Sequence, residues 1–273
     1  MPTSTGSTDV AGSGARRSAA APKPTPLIVA RSLVYHAAFF AMITVCLVLA
    51  LPGTLAPRAV GRPILRGWAL LTLWMLRVLV GQRFAVIGAE NIPPGGAVFA
   101  SKHQSAWETI ALLVPLQRAV FVLKAELMRL PLWGRLARSQ GMIAVDRAAG
   151  SAAMLAMARA AEAAVAAGGQ LVIFPEGTRR PVGAPPDYKP GVVLLYSRLG
   201  VPCVPVAHNS GVFWPHGSFI RYPGTITLSF LPALRPDLTR HAFLSALTSA
   251  IETETDRLVG SAAGVARLAS AGG

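Results

Sequence analysis

The sequence predicts an α/β domain, a mixed and largely parallel sheet covered by helices, preceded by an N-terminal two-helix membrane-docking segment. Three observations carry this. From about residue 83 onward, short apolar or β-branched runs alternate with helical patterns, as in parallel strands joined by crossover helices. Two long apolar stretches, almost without charge, come before them. The composition removes the competing classes: 52% hydrophobic residues is too apolar for disorder, and two cysteines, Cys46 and Cys203, make neither a disulfide scaffold nor a metal-ligand spacing.

Residues 1–26 are rich in Ser, Thr, Gly, Ala and Pro and read as a disordered tail. Leu33 to Leu51 holds nineteen residues with no formal charge. As a helix it is about 28 Å long, close to the thickness of a hydrocarbon core. Pro52-Gly53 ends it. A second apolar stretch, Gly67 to Val80, contains Trp68, Trp74 and Arg77 and spans only about 21 Å. Arg16, Arg17, Lys23 and Arg31 precede the first stretch, and Arg58, Arg62, Arg66, Arg77 and Arg83 follow it. A single span would place such an excess on one side. The expectation for residues 27–82 is therefore two helices that dip into one leaflet and return, with both basic flanks on the cytoplasmic side of the inner membrane and Trp and Arg at headgroup level.

Residues 83–259 form the predicted catalytic domain. Strands are expected at Phe84–Ile87, Ala97–Ala100, Ala119–Leu123, Met142–Val145, Leu171–Phe174, Cys203–Val206 and Ile226–Phe230. Helices are expected near Trp107–Leu116, Glu126–Ser139, Ser151–Ala167, Val192–Leu199 and Thr239–Leu258. Residues 260–273 are a Gly/Ala/Ser stretch, expected to be a flexible tail.

Only 14% of residues are charged, yet 26 Lys+Arg against 12 Asp+Glu leave a net +14. That excess calls for an anionic partner, a membrane surface or a nucleic acid. The arginines are scattered and form no basic face interleaved with aromatics, which argues against nucleic acid.

Four blocks carry chemistry. Ser101 to Glu108, SKHQSAWE, links a strand to a helix and sets His103 five residues before Glu108. The carboxylate can reach back to one imidazole nitrogen, leaving the other free to take a proton. The plain alternative is a surface His beside a glutamate favoured by the helix dipole. Gly141 to Arg147 is a short strand ending in Asp146-Arg147, readable as a strand-end ion pair. In Ile173 to Arg180, IFPEGTRR, a buried strand runs into a tight turn and two arginines. Glu176, Gly177 and Thr178 would shape this loop, and Arg179 can present a forked donor to phosphate or carboxylate. Val204 to Gly211 is a buried strand leading to His208, read as structural. Lys124, at the end of its strand, could face the same edge as His103 and Arg179.

These blocks, in this order, resemble the glycerolipid acyltransferase family over residues 84–232. The family pattern is a His, four residues and an Asp; a Gly-to-Arg strand block; Phe-Pro-Glu-Gly-Thr-Arg; and a Val-Pro-Val block. The Leu33–Val80 region also resembles the membrane-docking helices of bacterial members. Glu108 departs from the family's usual Asp, keeping the charge on a longer side chain. The resemblance implies transfer of an acyl group from acyl-CoA or acyl carrier protein (ACP) to the free hydroxyl of lysophosphatidic acid, giving phosphatidic acid, with no metal and no cofactor beyond the acyl donor. It implies His103 as general base, Glu108 as its orienting acid, and Lys124 and Arg179 as phosphate ligands, with Arg147 and Arg180 as weaker candidates. Backbone amides near the start of the Trp107 helix are candidate oxyanion donors. Two alternatives stand beside this: an acyltransferase for another lyso-lipid, such as lyso-ornithine lipid or a headgroup-bearing lysophospholipid, and a non-catalytic basic protein bound to membrane or nucleic acid.

Overall fold

The computed structural model describes residues 23–49, 58–146 and 149–271. Seven strands form one sheet: β1 Gln82–Ile87, β2 Ala97–Ser101, β3 Ala119–Lys124, β4 Ile143–Val145, β5 Gln170–Ile173, β6 Cys203–His208 and β7 Gly224–Phe230, in the order β1-β7-β6-β2-β5-β3-β4. β2 to β6 run parallel; β7 is antiparallel to β6, and β1 is parallel to β7. Every residue of β2, β5 and β6 is buried, as expected of central strands covered on both faces.

The eight α-helices among the described residues are α1 Pro26–Leu49, α2 Arg58–Met75, α3 Trp107–Ala111, α4 Trp133–Ser139, α5 Gly150–Ala166, α6 Pro190–Leu199, α7 Ser210–Phe213 and α8 Arg240–Ala271. Strand alternation sorts the core into two layers. Ala97, Phe99, Phe121, Val172 and Val206 face α1, α2 and α3. Val98, Ala100, Val120, Leu171 and Ile173 face α5, α6 and α8, where Phe243 stacks on Tyr196 with ring centroids 3.6 Å apart.

α1 begins earlier than the uncharged run does, at Pro26, so it takes in Arg31. α2 continues through a π-helical turn, Leu76–Val80, to Gly81, whose φ of +85° is a left-handed conformation that suits glycine and turns the chain into β1. Three helix expectations change. The helix expected over 107–116 stops at Ala111, because Pro115 has no N–H for the Ala111 carbonyl, which takes the Val114 amide in a tighter turn instead. The helix expected over 126–139 is split into a 3₁₀ turn, Ala125–Arg129, and α4, with Pro131 at the break. The last helix does not end near Leu258 but runs to Ala271, through the stretch expected to be a tail. Alanine is the strongest helix former, and it outweighs the few Gly and Ser residues there.

Parallel strands bring their C-terminal ends to one edge. The loops after β2, β3, β5 and β6 meet there, where ligands bind in sheets of this kind.

Candidate active site

β2 pairs with β5 and β6 in a register that sets Ala100 opposite both Ile173 and Pro205. The loops carrying His103, Glu176 and Ser210 therefore leave the sheet side by side. His103 Nδ1 lies 2.9 Å from Glu108 Oε1. Glu108 is fully buried, and four further donors converge on its carboxylate. The amides of Gln104 and Ser105 donate to Oε1, each at 2.8 Å. The hydroxyls of Ser105 and Ser210 reach Oε2 at 2.8 and 2.9 Å. Burial alone would raise the Glu108 pKa; the imidazoles of His208 and His103 and the backbone donor outweigh it and hold the carboxyl at about 2.

An ionised carboxylate only accepts, so Nδ1 of His103 carries the proton and Nε2 presents its lone pair. Nε2 has no hydrogen-bond partner among the described residues, and the side chain is 16% exposed. Phe174 stacks on the imidazole, centroids 4.0 Å apart at 19°, and rests in turn on Phe121. The ring is thus fixed by a hydrogen bond at one edge and an aromatic face on its plane.

His208 is fully buried, and burial pushes its pKa down. Its Nε2–H donates to the Lys102 carbonyl at 2.8 Å. This agrees with a structural reading of His208, although it supports the loop that carries His103 directly.

Glu176 does more than shape its turn. It is buried; Oε1 pairs with Lys102 Nζ at 2.8 Å, and Oε2 accepts the His103 amide at 3.1 Å. Lys102 Nζ also meets Glu252 Oε1 of α8 at 2.7 Å, and that oxygen accepts the Tyr188 hydroxyl at 3.0 Å. Burial pushes Glu176 up from its ordinary pKa, against the pull of Lys102. Gly177 closes the turn with its amide on Phe174 O at 2.9 Å and a φ of +67°, a conformation most side chains disfavour. Thr178 and Arg179 are exposed beyond it.

The arginines part company. Arg179 lines a cavity of about 230 Å³ beside the loop that carries His103, with Ser105, Ala106, four α1 residues (Tyr35, His36, Phe39 and Phe40), the segment Trp214 to Ser218, and Arg221. The Arg180 amide donates to His103 O at 2.8 Å, while its guanidinium turns to Pro185 O and lies 3.9 Å from Asp187. Lys124 ends β3 at the same edge, exposed, and makes no hydrogen bond to the His103 group. Arg147 lies outside the described residues. The amides of Gln104, Ser105 and Trp107 all serve internal acceptors, which removes these three as oxyanion donors.

A family model described as Acyltransferase matches residues 83–209. The 1-acyl-sn-glycerol-3-phosphate acyltransferase of Pseudomonas aeruginosa is 37% identical over 180 residues, 66% of this chain and 70% of that protein. The chain belongs to the acyltransferase family. An enzyme of the same name from Limnanthes alba is 30% identical over 170 residues, 61% of this chain but 58% of its own length. The crystal structure of the 1-acyl-sn-glycerophosphate acyltransferase from Thermotoga maritima shares the fold, with a TM-score of 0.71 at 20% identity over 85% of this chain and 97% of that one.

Within this acyltransferase, sequence reading found the His–Glu pair and the arginine loop but missed Lys102, Tyr188, Ser210, Glu252 and Arg221. Lys102 stands inside the quoted motif, and a lysine between an apolar strand and the His is its one local signal. Glu252 and Arg221 lie far along the chain, and only the fold brings them in.

Proposed function

We propose that this acyltransferase moves a fatty acyl group from an acyl thioester, carried by CoA or acyl carrier protein, to the free hydroxyl of lysophosphatidic acid. The observation that carries this reading is the His103–Glu108 pair: a donor-saturated buried carboxylate fixes one imidazole nitrogen and leaves the other open. His103 Nε2 takes the hydroxyl proton as that oxygen attacks the thioester carbonyl. The C–O bond forms, the C–S bond breaks, and the imidazolium returns its proton to the departing thiolate. Glu108 orients the ring and stabilises the imidazolium while it lasts. Arg179 holds the acceptor's phosphate, with Lys124 in support; Arg180 is occupied by its own loop.

The acceptor is a lipid, and α1 and α2 hold the enzyme to the membrane in this reading. Pro26–Cys46 and Val60–Val80 are each long and apolar enough to cross a bilayer. Both nevertheless pack on the catalytic domain. Ile28, Val29, Tyr35, Ala38, Phe39 and Met42 form a seam along α1 against the core, about 21 Å of helix committed to protein. The opposite faces, with Leu33, Phe40, Val45, Leu71 and Trp74, are exposed. Helices lying in one leaflet of the cytoplasmic membrane satisfy both faces.

The test is an acyl-transfer assay on membranes carrying the enzyme, offering acyl-CoA and acyl-ACP to lysophosphatidic acid, lyso-ornithine lipid and headgroup-bearing lysophospholipids, with products identified by mass. Phosphatidic acid as the main product is the expected result. Preference for another acceptor, or no transfer from either donor, overturns the reading.

A further inference from the structure

One wall of the cavity beside the catalytic loop holds a buried cation without a counter-charge. Arg221 is 6% exposed. Its Nη1 donates to the carbonyls of Ser218 and Ile220 at 2.7 and 2.9 Å, and its guanidinium lies 4.0 Å over the Trp214 ring. Nη2 is 3.2 Å from His36 Nε2. The other His36 nitrogen, Nδ1, lies 2.7 Å from the Ser32 carbonyl and must donate there, so Nε2 accepts from the arginine. The Arg221 Nε is buried with no partner, and no carboxylate among the described residues pairs with this side chain. Burial pushes the guanidinium down to about 10, which leaves it charged at neutral pH. A buried charge facing only neutral acceptors and a ring is costly unless an opposite charge joins it.

We propose that Arg221 is the buried half of a two-arginine receptor for the phosphate monoester of the lipid acceptor, with Arg179 as the exposed half. This rests on the acyl-transfer reading above and assigns the acceptor's anionic end to a named side chain. Both arginines line one cavity, and Ser105 and Ala106 of the catalytic loop line it too. The ligand is an amphiphile because Phe39 and Phe40 of α1 form another wall, and Phe40 belongs to the exposed apolar face of that helix. Ser32 fixes the arrangement: its Oγ accepts the Arg221 amide at 2.9 Å, tying the receptor to α1. A phosphate arriving with its apolar chain along α1 meets a guanidinium already desolvated and held in place by its Nη1 and Nη2 contacts, which favours a compact dianion over an uncharged headgroup.

The experiment measures acceptor binding apart from turnover. Full-length H103A protein in detergent micelles is titrated with lysophosphatidic acid, and separately with the monoacylglycerol of the same chain, by calorimetry. The double variant H103A/R221Q is titrated alongside. Lysophosphatidate binding weakened by about tenfold or more in the double variant, with monoacylglycerol binding unchanged, is expected. Equal or absent lysophosphatidate binding in the two proteins overturns the proposal. Because R221Q empties a buried position and can misfold, the unaltered receptor is followed as well. Trp214 lies against the guanidinium, so lysophosphatidate should change the emission of H103A but not of H103A/W214F; no difference between these two overturns the proposal. In enzyme with His103 intact, R221K should raise the KM for lysophosphatidate and leave the KM for the acyl donor within about twofold, while an elevated donor KM alone assigns Arg221 to the donor and overturns it. Should lysophosphatidate bind through Arg221 and yet never be acylated, the receptor stands and the acyl-transfer reading falls.

Discussion

His103→Ala is expected to abolish acyl transfer and leave the enzyme on the membrane, because it removes the imidazole that Glu108 orients and touches neither apolar helix; co-sedimentation with vesicles beside the transfer assay checks both halves. Glu108→Gln should lower turnover by about 10²-fold or more, since a neutral amide, which donates as well as accepts, no longer enforces the Nδ1–H tautomer and cannot stabilise the imidazolium. Glu108→Asp keeps the charge and should cost less, though the shorter side chain must draw in the donors that now converge on the longer one. Arg179→Ala should act mainly on the acceptor KM. Glu108 also sets an acid limit. Its folded pKa is depressed from 4.5 to about 2, so its stabilisation is fully present above pH 4.5 and is lost as the pH falls through that window. Urea midpoints of the native protein and Glu108→Gln should therefore converge between pH 4.5 and pH 2. The His–Glu pair was legible because both residues sit within one short motif; that Glu108 is saturated by Ser210, 102 residues away, was not.

Among the elements, the parallel strands were legible as apolar runs because burial on both faces leaves no room for polar residues. Helix limits were less so: Pro115 and Pro131 end helices that periodicity alone would extend, and α8 outlasts its amphipathic pattern. The most consequential element contact is that of α8 with the loop after β2. Lys102 stands between Glu176 and Glu252, all three buried or nearly so. Lys102→Met would leave two carboxylates without their cation, and a loss of about 3–5 kcal/mol in stability is expected from urea unfolding. Phe243→Ala, which empties the fully buried position on the other side of α8, should cost about 3–5 kcal/mol by the same measurement. Lys102→Met should also lower kcat, because Glu176 holds the His103 amide; Phe243→Ala should spare kcat while the protein stays folded.

At the scale of the whole molecule, the apolar, basic composition divides into a layer of two apolar helices and a polar sheet edge that carries His103. Leu71→Asp with Trp74→Asp places charge on the exposed face of α2 without entering the core, and should reduce sedimentation with anionic vesicles severalfold while thermal unfolding changes little. The two-helix segment and the strand–helix alternation were both visible in the sequence, since each is a local pattern. The charge network under the active site joins residues remote in sequence, and only packing reveals it. That remoteness has a consequence during synthesis. Lys102 and Glu252 are 150 residues apart, and a contact so distant forms late in folding. Translation delivers α1 and α2 first, so the nascent chain can reach the bilayer long before the counter-charge beneath His103 exists. On the proposed reading, the chain can meet its lipid before the Lys102–Glu252 pair braces the loop that carries His103, and that brace is completed only once α8 has been made and docked.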